Sequence, residues 1–111
     1  MQKKNNHLDL VFSALSDKTR RQILSMLLLD DMAVTDIAEP FEISLAAISK
    51  HLIILANAGL IEREKRGRIN WCKVQPDSMR EAIIWIESFG HLEMINLDIL
   101  EEFIETTIKI V

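Results

Sequence analysis

The chain has few of the residues that interrupt regular structure: three Gly and two Pro in 111 residues. It has no Tyr and only 5% aromatic residues, which argues against a large β-sandwich core and favours aliphatic packing between helices. Its single cysteine, Cys72, excludes an intrachain disulfide and cannot alone form a multi-thiolate metal site. We therefore expect one mainly helical domain over residues 1–111, with no cofactor.

Long apolar segments are also missing. No stretch reaches the roughly 18 uninterrupted apolar residues of a transmembrane helix, and the first residues, MQKKNNHLDLVF, lack the apolar centre of a signal peptide. We expect a cytoplasmic protein that does not enter a membrane.

The net charge of −4 is unevenly distributed. Residues 43–75 hold six Lys or Arg against two Asp or Glu, whereas residues 76–111 hold two against eight. An acidic chain with this pattern can still present one basic surface to a polyanion.

The first two segments, residues 8–29, have helical periodicity. Leu8, Val11, Phe12 and Leu15 lie at i, i+3, i+4 and i+7, which predicts an amphipathic helix. Asp17 is a suitable N-cap for a second helix, whose expected inward residues are Ile23, Leu24, Leu27 and Leu28.

Residues 35–58 have the spacing of a helix-turn-helix. A brief helix capped by Thr35 precedes Pro40, and Ser44 is the expected N-cap of the next helix, which should end at Gly59. The expected buried stripe of this helix is Leu45, Ile48, Leu52 and Leu55.

The pattern changes after Gly59. In residues 60–74, successive side chains alternate between two faces, and a turn is expected around Gly67. This pattern predicts a two-stranded hairpin with a basic tip. Residues 76–108 are predicted to form one long helix, weakened only at Gly90. The order α-α-α-α-β-β-α, mainly α with a small β-hairpin, is that of a winged helix-turn-helix.

The helix after Ser44 combines its apolar stripe with small side chains. Small residues let a helix approach base edges closely, and Lys can reach a phosphate or guanine. Good capping and helix propensity would explain the same residues, with His51 as a satisfied half-buried side chain. The basic hairpin that follows favours DNA contact by Ser44, Ala46, Ala47, Ser49, Lys50 and His51.

The hairpin tip, EREKRGR, carries four cations around one glycine. They could simply protect the strand edge from pairing. As a wing, they would contact phosphates or enter the minor groove. The expected wing contacts are Arg63, Lys65, Arg66 and Arg68.

The first and last helices are expected to pair two copies of the chain. The C-terminal segment has apolar residues on more than one face, more than so small a domain can bury alone. Its eight acidic residues disfavour a membrane-surface helix. The expected interface of the homodimer comprises Leu8, Val11, Phe12, Trp85, Phe89, Leu92, Ile95, Leu100 and Phe103.

The segments SALSDKTRRQIL and TDIAEPFEISLAAISKHLIILANAGLIEREKRGR resemble the arsenical-resistance repressor (ArsR) family of bacterial transcription factors, from about Leu8 to Val74. The resemblance implies a homodimeric winged helix that lays two copies of helix 44–58 into successive major grooves of an inverted repeat. It implies recognition contacts by Ser44, Ala47, Ser49, Lys50 and His51, and wing contacts by Arg66 and Arg68.

The sensing residues of such families are not evident. MAVTDIA, which matches the segment where soft-metal sensors carry paired cysteines, has none. The last helix offers only Glu87 and His91, at i and i+4, as a weak candidate metal pair. The alternation of the hairpin suggests that Cys72 is a small buried side chain.

These residues predict a metal-independent repressor that blocks polymerase by occupying double-stranded DNA. Alternatives are a repressor that responds to a ligand, an oxidant or a metal, and a protein-interaction module without DNA binding. An enzyme is not expected, because His7, His51 and His91 lie in different segments and no Gly-rich phosphate loop is present.

Overall fold

The computed structural model describes residues 3–90 and 97–110, with side-chain burial for 7–90 and 100–107. A short 3-10 helix, Pro76–Met79, precedes α5. The other elements in chain order are α1 Lys3–Leu15, α2 Lys18–Leu29, β1 Met32–Ala33, α3 Val34–Ala38, α4 Leu45–Asn57, β2 Ile61–Arg66, β3 Ile69–Val74, α5 Arg80–Glu87 and α6 Leu97–Ile110.

Two of the predicted N-caps are confirmed. The Asp17 carboxylate accepts a hydrogen bond from the backbone N–H of Arg20 at 3.1 Å, and the Ser44 hydroxyl accepts one from Ala47 N–H at 3.0 Å. Both satisfy donors that the first helical turn leaves unpaired. Thr35 is not a cap, because α3 already begins at Val34, after Ala33.

The core lies where helices α1, α2, α3 and α4 meet the sheet. The prediction that Ile48, Leu52 and Leu55 are buried is confirmed, since all three are fully buried. The prediction that Leu28 and Leu45 are also buried is wrong, because these side chains are 63% and 51% exposed. The predicted apolar face of α1 is also buried or half-buried, at Leu8, Val11, Phe12 and Leu15.

The predicted hairpin is present, within a larger sheet. Strands β2 and β3 are antiparallel and pair Ile61 with Val74 and Arg66 with Ile69. They turn at Gly67, whose φ of +65° lies in the left-handed region that glycine adopts readily. β1 adds a third strand beside β3, in the order β1-β3-β2, which the sequence patterns did not predict.

The base of the hairpin is closed by hydrogen bonds on both sides. The backbone N–H of Gln75 donates to Leu60 O at 2.8 Å, and the Ser78 hydroxyl donates to Gly59 O at 2.5 Å. Gly59 has a φ of +75° and terminates the helix, as predicted. A Cβ added there would lie 2.6 Å from Ser78 Oγ, so this close approach also requires glycine.

The prediction of one helix over 76–108 is wrong. The segment opens with the 3-10 helix, α5 ends at Glu87, and Gly90 has a φ of +158°, which no helix contains. A separate helix, α6, begins at Leu97 and packs along α2. Within 3–90 and 97–110, no helix is both long and apolar enough to cross a membrane.

Candidate nucleic-acid interface

The helix α4 is divided lengthwise into a buried stripe and an accessible surface. Ser44, Ala46 and Lys50 are exposed, whereas Ala47 and Ser49 are half-buried. The face opposite them is anchored in the core by Ile48, Leu52 and Leu55. The first two turns therefore present a low surface of small side chains edged by one lysine.

Leu45 belongs to this accessible surface and not to the core. It lines a cleft of about 320 Å³ between α4, the hairpin and the start of α3, with Ser49 on the same wall. Arg63, Arg68 and Ile69 line the facing wall, and Ile69 is 51% exposed. Helical spacing predicted that Leu45 is buried, so its place in the cleft was missed. Its position at the first residue of the helix, beyond the packed turns, was the available signal.

The hairpin brings its four cations to one exposed tip, but it does not leave them equivalent. Arg66 Nη2 donates to Asp31 Oδ2 at 3.0 Å and to Glu64 Oε1 at 3.1 Å. Its guanidinium also lies 4.8 Å above the Trp71 ring, a cation–π geometry. Among the described side chains, the salt bridges include no partner for Arg63, Lys65 or Arg68, so these three carry the uncompensated charge.

The hydrogen bonds with Asp31 and Glu64 raise the pKa of Arg66. The guanidinium therefore stays charged, but part of its hydrogen-bonding capacity is used within the chain. A phosphate would have to compete with two carboxylates for it.

His51 lies on α4 where the accessible surface meets the core, with 21% of its side chain exposed. Its Nδ1 is 3.1 Å from Arg20 Nη1 and 3.9 Å from Asp17 Oδ2. Because a guanidinium can only donate, Nδ1 accepts this bond and the neutral ring carries its proton on Nε2. The interpretation of His51 as a satisfied half-buried side chain therefore holds for Nδ1, while the proton on Nε2 is available as a donor.

Arg20 joins three helices at this point. Its Nε donates to Ala14 O at 2.9 Å and its Nη2 to Ser13 O at 3.2 Å, both at the C-terminal end of α1. Ala14 O lies in the last turn, whose carbonyls lack partners within the helix, whereas Ser13 O also accepts from the backbone N–H and the hydroxyl of Ser16. Since Nη1 reaches His51 on α4, the end of α1 and the surface of α4 are held by one side chain of α2.

Asp17 completes this cluster. Burial by itself raises the pKa of its carboxyl, but the backbone N–H groups of Arg20 and Thr19 and the charge of Arg20 lower it, and the net pKa lies below the ordinary value. The carboxylate is therefore ionised at neutral pH and serves both as helix cap and as counter-charge.

Comparison with known proteins matches this arrangement to one family. A family model described as "Bacterial regulatory protein, arsR family" matches residues 17–63, which include α2, α3, α4 and the start of the wing. The transcriptional repressor SdpR of Bacillus subtilis (strain 168) is 40% identical over 79 residues, which cover 71% of this chain and 88% of that protein. The chain belongs to the ArsR family.

Other relatives and structures agree. A cadmium resistance transcriptional regulatory protein CadC homolog of Staphylococcus aureus is 34% identical over 83 residues, covering 72% of this chain and 69% of that protein. An ArsR-like transcriptional regulator from Rhodococcus sp. RHA1 superposes with a TM-score of 0.70 at 32% identity, covering 80% and 84% of the two chains. This ArsR-family protein is a DNA-binding transcriptional repressor and not an enzyme.

The ArsR-family chain also carries an aromatic cluster formed by α1, α5 and the turn that follows α5. The rings of Phe12 and Trp85 lie 5.4 Å apart and those of Trp85 and Phe89 4.6 Å apart, both edge to face. Trp85 is 46% exposed and Phe89 73%. Beside them on α5, Ile83, Ile84 and Ile86 are also exposed.

The remaining residues of the predicted interface are placed differently. Val11 is fully buried within its own protomer, so it has no surface to offer a partner, and this part of the prediction is corrected. Leu8 is half-buried, and Leu100 and Phe103 on α6 are 37% and 63% exposed. Leu92 and Ile95 lie outside the described residues.

The candidate sensing residues gain little support from the geometry. Glu87 is exposed at the end of α5, and His91 lies outside the described residues. In the part of the chain that the structure describes, no three His, Cys, Asp or Glu residues are grouped as metal ligands. Cys72 is 1% exposed, and burial raises the pKa of its thiol although Arg63 acts in the opposite direction. The reactive thiolate is therefore disfavoured.

Proposed function

We propose that this ArsR-family repressor acts as a homodimer that holds no metal. It lays two copies of α4 into successive major grooves of an inverted-repeat operator and blocks polymerase by occupying the site. The observation that carries the proposal is the cleft between α4 and the wing. There the accessible first turns of the recognition helix, at Leu45 and Ser49, face Arg63 and Arg68.

The surface of α4 has the shape and chemistry for a major groove. Ala46 and Ala47 let the helix approach base edges, Ser44 and Ser49 can bond bases or phosphates, and Lys50 can reach a guanine or a phosphate. His51 contributes its Nε2 proton, which the Arg20 bond leaves available.

Leu45 adds an apolar contact to this set. Its side chain is half exposed at the start of the helix, where the N-terminal residues of a recognition helix meet base edges. An aliphatic group at this position fits a thymine methyl and cannot hydrogen-bond to the other bases. Leu45 is therefore proposed as a determinant of sequence preference.

The wing supplies the contacts that do not depend on sequence. Arg63, Lys65 and Arg68 are exposed and can neutralise phosphates or enter the minor groove. Arg66 contributes less, because Asp31 and Glu64 already occupy it.

Dimerisation is supported by the exposed aromatic cluster. Trp85 and Phe89 with the isoleucines of α5 form an apolar patch of a kind that monomers rarely leave open. A homodimeric winged helix-turn-helix DNA-binding domain from Mycobacterium bovis has a TM-score of 0.62 to this chain at 25% identity, covering 82% and 89% of the two chains. The proposed interface retains Leu8 and Phe12 of α1, Trp85 of α5, Phe89 just after α5 and Leu100 of α6, whereas Phe103 lines a cavity against α2.

Metal independence is supported by the types of side chain present. The CadC homolog is a cadmium resistance regulator by its name, but α3 and the residues around it, MAVTDIA, contain no cysteine here. The single thiol, Cys72, is buried and cannot bind a soft metal without partners.

The decisive experiment is selection of duplexes from a random pool, followed by titration of the enriched sequence at several salt concentrations. An inverted repeat should be enriched, with half-site centres about 34 Å apart, and affinity should fall as salt rises. Adding Zn²⁺, Cd²⁺ or a chelator should leave the affinity unchanged. Enrichment of no sequence, or release of DNA by a metal, would contradict the proposal.

Variants separate the two parts of the proposal. Substituting Lys50→Ala and Arg68→Ala together should abolish specific binding, whereas Arg80→Gln, an exposed arginine outside the cleft, should not. Phe89→Ser should lower the sedimentation coefficient to that of a monomer and weaken operator binding with unchanged helix content.

A further inference from the structure

A cavity of about 410 Å³ opens between α2 and α6, separate from the cleft that faces DNA. Its apolar wall is formed by Leu24 and Leu28 of α2, Met79 of the 3-10 helix and Phe103 of α6. Pockets that hold small organic molecules commonly enclose about 300–1,000 Å³ and are mostly apolar. The cavity therefore has the size and lining of a ligand site.

The apolar surface continues beyond Phe103. A second depression of about 280 Å³ shares Leu28 and Phe103 with the first and is lined further by Leu29 and Ile104. The two depressions follow α2 towards its C-terminal end. An elongated apolar molecule fits this shape better than a compact one.

The opposite end of the first cavity is positively charged. Lys18 and Arg21, both in the first turn of α2, are the charged residues among the described side chains that line it, and none of these described side chains is a carboxylate. This is unusual in a chain with a net charge of −4. Arg21 Nη1 donates to Leu15 O at 2.7 Å, which holds the guanidinium beside the cavity, and a guanidinium has four further N–H donors.

We propose that this cavity binds an amphipathic organic anion, namely a carboxylate on a linear alkyl chain. The carboxylate lies at Lys18 and Arg21, and the chain lies along Leu28 and Phe103. Guanidinium and ammonium groups bind a carboxylate by charge-assisted hydrogen bonds. Transfer of the alkyl chain from water to the apolar wall also favours binding. The inference does not depend on the proposed mode of DNA binding.

The test compares three ligands that share one alkyl chain and differ in charge. Decanoate, decanol and decyltrimethylammonium are titrated into the full-length protein by calorimetry, below their micellar concentrations. Decanoate should bind once per protomer and about tenfold more tightly than decanol, a difference of one charge-assisted interaction. The cation should bind most weakly. Equal affinity for all three, or no binding, would overturn the proposal and leave an apolar groove that another surface covers.

Substitutions at Arg21 test whether it binds the carboxylate or only supports the fold. Loss of carboxylate binding alone should weaken decanoate binding and spare decanol binding. Arg21→Gln should weaken decanoate binding about tenfold and leave decanol binding unaltered, and Arg21→Lys should restore most of the affinity. Arg80→Gln is the matched control, because Arg80 is exposed but lines a different depression. Equal effects of Arg21→Gln and Arg80→Gln would overturn the assignment of the carboxylate.

The apolar end is tested by Leu28→Gln. Leu28 is 63% exposed, so this change should leave the fold intact, and it should weaken decanoate and decanol alike. The titrations are repeated at two protein concentrations. An affinity that falls as the protein concentration rises would show that a second copy of the chain fills the cavity, which would overturn the proposal. Operator binding measured in the same samples distinguishes this failure from failure of the repressor model.

Discussion

The guanidinium of Arg20 in α2 lies against the imidazole of His51 in α4, with Nη1 3.1 Å from Nδ1. The same guanidinium holds the last carbonyls of α1 through Ala14 and Ser13. The helix that carries part of the proposed dimer interface and the helix that faces DNA are thus connected by one side chain. We therefore expect Arg20 to act as a positioning residue for the recognition helix.

Replacing Arg20 by Gln should lower both stability and operator affinity. The change removes three hydrogen bonds, two of them to helix-terminal carbonyls, and should reduce the free energy of unfolding by about 1–3 kcal/mol. Urea denaturation and titration of the selected duplex measure the two effects. Arg21→Gln, which removes one bond to Leu15 O, should cost less than half as much stability. His51→Ala should weaken DNA binding with a smaller loss of stability, and equal DNA affinity for wild type and His51→Ala would refute a role for this ring.

The Asp17 carboxylate should make stability depend on pH in the acid range. Its pKa is lowered in the folded protein, so its stabilising contribution is complete above the unfolded value of about 3.9 and is lost as pH falls through the lower folded pKa. Asp17→Asn retains an oxygen for the Arg20 N–H but removes the charge. The difference in Tm between wild type and Asp17→Asn should be largest near pH 7 and narrow below about pH 4. A difference in Tm that stays the same from pH 7 to pH 3 would contradict this role of the Asp17 charge.

Replacing Leu52 by Ala should lower stability, whereas replacing Leu45 by Ala should change the sequence preference of DNA binding. Leu52 is fully buried, so Leu52→Ala should cost about 2–5 kcal/mol of unfolding free energy. Leu45 is half exposed, and Leu45→Ala should leave stability within about 1 kcal/mol of wild type. Repeating the duplex selection with Leu45→Ala should show weaker preference at one base pair of each half-site. An unchanged preference would remove Leu45 from the reading surface.

The two arginines that flank Gly67 should contribute unequally to the salt dependence of binding. Arg68→Gln should reduce the slope of log affinity against log salt by about 0.9 for each phosphate that the protein no longer neutralises. Arg66→Gln should change the slope less, because Asp31 and Glu64 already compensate that charge. Titrations at four salt concentrations measure both slopes. A larger effect for Arg66 would mean that DNA displaces both carboxylates from it.

Local sequence signals predicted much of this molecule. Asp17 and Ser44 are caps because their side chains can reach the N–H three residues ahead, a purely local property. The stripe of Ile48, Leu52 and Leu55 and the turn at Gly67 are likewise set by periodicity and backbone freedom. These features need no knowledge of the rest of the chain.

Features that depend on distant residues were missed. β1 is two residues long and exists only because Met32 and Ala33 pair with Cys72 and Trp71. The bond between Arg20 and His51 spans 31 residues. Helical spacing placed Leu28 and Leu45 inward, but burial depends on which neighbour covers each position. Ile53 and Ile54, the apolar neighbours of the buried Leu52, are 48% and 39% exposed for the same reason.

The hydrogen bonds that close the base of the hairpin, Ser78 to Gly59 and Gln75 to Leu60, have an evolutionary consequence. They join the end of α4 to the start of the segment leading into α5 without involving the hairpin tip. Insertions or deletions at Gly67 can therefore change how far the wing extends while the angle between α4 and α5 stays fixed. In related proteins, the contacts to the DNA backbone can change through the length of the hairpin loop. The base preference can change independently, through the side chains of the helix.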